Sequence, residues 1–206
     1  IHLGDIGSVS ATDVQATLGS ITLGAVADIT LDTVIAAGGD ATVTAGGNIL
    51  GDGTDADADV SGETITLTAE GTIGAAAGAS ALGVVATEAI NADADDDDIF
   101  IDATAAASLP LGDVDAGTGG VSLEATGVPI TDANNAAVNV VGNSLTVVSA
   151  AGTGTAADAI ETNVGTLTVT ANTAGVVNIQ NTGALIIAGI DNDGTDATVV
   201  NMLGSI

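Results

Sequence analysis

The chain has 206 residues, 27 of them aspartate or glutamate and none lysine or arginine, so its formal net charge is -27. Nucleic acids and anionic membrane surfaces are held mainly by cationic side chains, and without a bridging metal this chain binds neither. The apolar fraction is 46%, with Phe100 the only aromatic residue, so the core is expected to be thin and filled by Ala, Val, Ile and Leu.

In chain order, one phrase returns: a glycine or other turn residue, then two apolar residues separated by threonine or serine, then alanine and a second turn. It begins as Gly19-Ser20-Ile21-Thr22-Leu23, Gly39-Asp40-Ala41-Thr42-Val43-Thr44-Ala45-Gly46 and Gly62-Glu63-Thr64-Ile65-Thr66-Leu67-Thr68-Ala69-Glu70-Gly71. Weaker copies centre on Leu82 with Val84 and on Ile99 with Ile101. Later copies are Gly120-Val121-Ser122-Leu123-Glu124-Ala125-Thr126-Gly127, Asn143-Ser144-Leu145-Thr146-Val147, Gly165-Thr166-Leu167-Thr168-Val169-Thr170-Ala171 and Gly183-Ala184-Leu185-Ile186-Ile187-Ala188-Gly189. Successive copies are separated by roughly 20 residues, a solenoid period.

Within each copy the apolar residues alternate with period two, the pattern of a strand with one buried face. One such strand cannot bury its apolar face alone, whereas coils stacked about 4.8 Å apart close a narrow core. The expected fold is a parallel β-helix, or β-solenoid, of about nine rungs running over residues 1–206 as one domain. An irregular insertion is expected around 74–98, because the Ala-rich stretch 78–94 suits a short helix or an extruded loop. The alternative is a β-sandwich pilus-type subunit joined by strand donation, which Ala41 and the irregular middle leave open.

The Gly-x-[Ile/Val/Leu]-Thr-[Leu/Val]-x-Ala-x-Gly phrase resembles the repeats of large bacterial surface proteins, the filamentous-haemagglutinin-like and autotransporter adhesins. The resemblance implies a right-handed parallel β-helix at the cell surface or outside the cell, with no catalytic residues to carry over. The chain departs from many such repeats in having no cationic residue and little Asn-Gly punctuation. A lyase of pectate-lyase-like β-helix type needs an arginine or lysine base, and a sugar platform needs Trp or Tyr. Neither is present, and no nucleophile-base-orienter set is legible, so the chain is expected to be non-catalytic.

Aspartates cluster in three places. Asp191-Asn192-Asp193-Gly194-Thr195-Asp196 sets carboxylates at alternating positions around a glycine, the way a tight loop converges oxygens on calcium. Asp191, Asp193 and Asp196 are its candidate ligands. Denser clusters offer Asp52, Asp55 and Asp57, and Asp95 and Asp97. The competing reading is that these are solvated faces that keep a rod soluble. Divalent cations are expected partners in either case, because no internal cation offsets the carboxylates.

With Ile99 and Ile101 pointing inward, Phe100 must point out of the coil, beneath a neighbouring loop or against another protomer. Ile1 and the last residues through Ile206 read as strand edges rather than polar caps, so end-to-end self-association into a filament is expected. His2, beside the chain end, reads as merely polar. The outward Thr-x-Thr ladders, such as Thr64, Thr66 and Thr68, read as ordinary β-residues.

Overall fold

The computed structural model describes residues 2–4, 7–53, 57–76, 81–103, 107–171, 175–193 and 196–202. Every strand pairing among them is parallel, and no helix occurs. The chain is a β-solenoid of about eight turns. A regular turn lays down strand on three faces, as in Ile21–Ala25, Ile29–Leu31 and Val34–Ala36, while Ile73 and Thr153 join the stack by single bridges.

The second face shows the stacking most directly. Val9, Ile29, Ile49, Ile73, Ile99, Val121, Leu145, Leu167 and Ile187 occupy one register position in successive coils. These nine stacked positions span eight turns, but the repeated phrase does not keep to one face: its copies at Ile21, Ala41 and Ile65 are in register on the first face, and those at Ile99, Val121, Leu145 and Leu167 on the second. Stacking like on like puts branched side chains of similar shape one above another, which packs a narrow interior without aromatics. Ile29, Ile49, Ile73 and Ile99 are each fully buried.

Alternation separates core from solvent within each strand. Ile21–Ala25 and Ala41–Ala45 bury every second residue, with threonine or glycine between. Ile65 and Leu67 point inward while Thr66 is half-buried and Thr68 exposed.

The Ala-rich stretch departs from expectation. Instead of a helix or loop, Leu82–Asp93 is a strand of 12 residues. It pairs with Val60–Ala69 below and with Ile99–Asp102 and Leu109–Asp115 above. A register shift between Ala86 and Ala89 absorbs one extra residue at the corner, where Thr87 and Glu88 are exposed. Alanine's helix preference is a few tenths of a kcal/mol per residue, and ladder bonds on both sides of the strand outweigh it.

Candidate functional site: the acidic corners

The chain turns between faces at corners, where backbone N–H groups leave the ladder and need other acceptors. Aspartate and asparagine side chains supply them, each accepting from a backbone N–H one coil further on. Asp28 accepts from Asn48 N–H at 2.8 Å, Asn48 from Thr72 at 2.9 Å, and Asp40 from Thr64 at 3.1 Å. In the middle of the rod Asn91 accepts from Asp113 at 3.0 Å, Asp96 from Thr118 at 2.9 Å and Asp98 from Gly120 at 2.7 Å. Donor and acceptor are 20–24 residues apart in these six bonds, the length of a coil.

Asp59 and Asn139 are the buried members of this set. Asp59 is 6% exposed; its Oδ2 accepts from Gly83 N–H at 2.7 Å and its Oδ1 from Asp52 N–H at 3.3 Å. Asn139 is fully buried, donates from Nδ2 to Leu111 O at 3.0 Å and Asp132 Oδ1 at 2.8 Å, and accepts from Glu161 N–H at 2.9 Å. Sequence reasoning singled out neither, since nothing local separates an aspartate that reaches the next coil from one in solvent.

The predicted calcium ligands are distributed along these corners. Asp191, Asp193 and Asp196 are exposed on the last coil, with Asp191 in register with Thr170. Asp52 is half-buried through its N–H contact with Asp59, Asp57 is exposed, and Asp55 lies outside the described residues. Asp95 and Asp97 are exposed on the corner that Asp96 and Asp98 seal, and Asp95 and Asp96 have φ of 41° and 77°. Asp96 sits beneath Gly117, which also has positive φ (52°), so the same left-handed turn repeats in consecutive coils. No group of three or more His, Cys, Asp or Glu placed to hold a metal ion occurs among the described residues. Phe100 faces outward and is half-buried, with Ile99 and Ile101 buried on either side. Ile1 and Ile206 lie outside the described residues.

Two carboxyls are held above the usual range. For Asp113 the first cause is burial, followed by the charges of Asp115 and Asp93. For Glu161 it is again burial, then Asp132, partly offset by a backbone hydrogen bond, with Asp158 adding to the rise. The folded chain therefore holds these protons more tightly than the unfolded chain. Their contribution to stability is complete below the ordinary carboxylate pKa and is lost as pH rises through the raised folded values. Acidification from neutral pH to about 4 is expected to raise the melting temperature, and Asp113→Asn and Glu161→Gln to flatten that rise. An unchanged slope in both variants would assign the effect to other carboxylates.

Fold and site together define a parallel β-solenoid whose corners are sealed from one coil to the next by carboxylate and amide oxygens. Comparison with protein-family models gives no match, and neither curated proteins nor solved structures match the chain.

Proposed function

We propose that the chain is a structural segment of an extracellular filament, surface fibre or large adhesin of the filamentous-haemagglutinin-like or autotransporter type, extended end to end and non-catalytic. The observation that carries this reading is the contrast between the middle of the core and its two ends. Ile49, Ile73, Ile99 and Leu145 are at most 1% exposed. Val9, Val14 and Ala16 on the first rungs, and Ile187, Ile190 and Val199 on the last, are only partly buried. Ile186, Val200 and Met202 are exposed beside the latter group. Among the described residues, each end thus leaves apolar residues partly exposed and a strand edge unpaired, which a further coil would bury. Asp28, Asp40, Asp59, Asp96 and Asp98 are engaged in hydrogen bonds that hold successive coils together.

Calcium and other divalent cations are the proposed counterions of the exposed corners, where like charges such as Asp93, Asp113 and Asp115 crowd one another. The test is electron microscopy and fibre diffraction of the purified chain over a range of concentrations, in calcium and again after chelation. One segment of eight turns is about 38 Å long at the inter-strand spacing. Rods many times that length with an axial spacing near 4.8 Å are expected, and their shortening in chelator would make the cation structural. Single-segment particles at every concentration in both conditions would sink the end-to-end reading.

A further inference from the structure

The outward residues of the second face form a row along the rod. Ser10, Thr30 and Leu50 are in register in the lower coils. Phe100, Ser122, Thr146 and Thr168 are in register in the upper ones. Gly74 links the two sets, since it follows Ile73 as Phe100 follows Ile99. None of these eight residues is acidic, although the chain carries 27 carboxylates. An outward row of the first face is not so kept, because Thr44 and Thr68 lead there into Asp93 and Asp115.

On the second face the acidic residues stand to the sides of the row, two places before or after it. Asp28 and Asp98 on one side are turned into the hydrogen bonds of their corner. Asp102 and Glu124 are in register on the other. Higher up both sides are uncharged, with Ser144 and Thr166 in register on one and Val148 and Thr170 on the other. The row thus widens into a patch of hydroxyls. Leu50 and Phe100 are its large apolar members, each half-buried. Phe100 also walls a groove of about 180 Å³ shared with Asp98, Gly120, Ser122, Ser144 and Thr146.

Such a row suits contact with its own copy. A two-fold contact sets the same patch on both partners. Carboxylates so placed repel one another, and this chain has no lysine or arginine to set against them. Hydroxyls both donate and accept, so the row is a hydrogen-bonding complement to itself. An aromatic side chain beside a groove near the centre is the usual anchor of a contact of this kind. A stripe about 10 Å wide along a segment of about 38 Å offers roughly 400 Å² per copy, half of the 800 Å² or so that a stable pair needs. Two single segments therefore do not hold together, whereas rods extended end to end repeat the stripe and their contacts act jointly.

We infer that the second face is where two copies of this chain lie side by side, so that long rods pair laterally through the uncharged row with Phe100 as its anchor. This rests on the end-to-end reading above and adds how the rods associate sideways.

The test compares the full chain with Phe100→Ser, with the double variant Thr146→Asp and Thr168→Asp, and with the first-face control Thr44→Asp and Thr68→Asp. Rod length and width are read by electron microscopy and cross-section by small-angle X-ray scattering. The salt is about 0.15 M, where charges more than about 8 Å apart are largely screened. Wild-type rods of several segments are expected to appear in pairs about twice the width of one solenoid. Both second-face variants are expected to raise the concentration needed for pairing at least tenfold with rod length unchanged, and the control to leave it where it was. Phe100 lies beside Gly74, so if its replacement weakens folding, the outward aspartates still carry the test. Long wild-type rods that stay single at every concentration, or an equal effect in the second-face variants and the control, would overturn the lateral contact and leave the end-to-end reading standing. Absence of long rods in the wild type would overturn the end-to-end reading, and this inference with it.

Discussion

Replacing Asn139 by alanine is expected to destabilise the solenoid by about 2 kcal/mol, because it orphans the Glu161 N–H and removes a buried amide that ties two coils together. Asn139 is fully buried, and its Nδ2 serves acceptors from two coils: Leu111 O at 3.0 Å and Gly112 O at 3.3 Å below, with Asp132 Oδ1 at 2.8 Å and Asn134 Oδ1 at 2.9 Å. Its Oδ1 receives the N–H of Glu161 from the coil above. Alanine would leave that N–H unpaired where water cannot easily replace the amide, while Leu111 O keeps the Ala133 N–H at 2.8 Å and Gly112 O the Asn134 amide at 2.7 Å. It would also strip a donor from Asp132, whose charge already helps hold the Glu161 carboxyl above its usual range. Asn139→Asp is expected to be worse than alanine at neutral pH, since it adds a carboxylate beside Asp132 and removes both donors, and to recover in acid. Urea denaturation gives the total, and amide exchange at Glu161 localises it. A loss below about 1 kcal/mol would mean that the corner is held by its ladder bonds and not by this side chain.

Gly74→Val is expected to cost about 3 to 5 kcal/mol, through conformation and collision together. Gly74 has φ of 73°, in the left-handed region that a β-branched residue avoids. A Cβ there would run into the Phe100 carbonyl oxygen and lie 2.9 Å from Phe100 Cβ and 3.1 Å from Leu82 N. The backbone cannot retreat, because Gly74 N–H donates to Ile49 O at 2.8 Å and Phe100 N–H to Ile73 O at 2.7 Å. Gly127→Ala is the matching control: φ is 86° and nothing lies within 4 Å of the added carbon, so only the backbone term of about 1 kcal/mol applies. In a solenoid each coil leans only on its neighbours, so damage at Gly74 should uncouple the halves below and above it and split the melting transition in two. A single transition as stable as that of Gly127→Ala would show that the corner relaxes around the new side chain.

The sequence by itself determined the class of fold, because class rests on local alternation and on period. Ile65 and Leu67 against Thr64, Thr66 and Thr68 specify a strand with one wet face, and repetition every twenty or so residues specifies stacking. The outward position of Phe100 followed from parity alone, once Ile99 and Ile101 were assigned to the core. Composition determined that the core would lack aromatics and that no side-chain cation could neutralise the corners.

Tertiary structure decided what depends on the neighbouring coil. Residues 82–93 are compatible with helix or strand, and only the ladders of Val60–Ala69 beneath and Leu109–Asp115 above settle them as strand. The aspartates were legible as clusters but not as acceptors, since Asp28 and Asp96 find their donors 20 and 22 residues away. Coil length varies along the rod, from 20 residues between Val9 and Ile29 to 26 between Ile73 and Ile99. With that variation no fixed spacing says which carboxylate lies under which N–H. Asn139 was hidden for the same reason: an amide is recognisable as buried and paired only after the rungs on either side of it are in place.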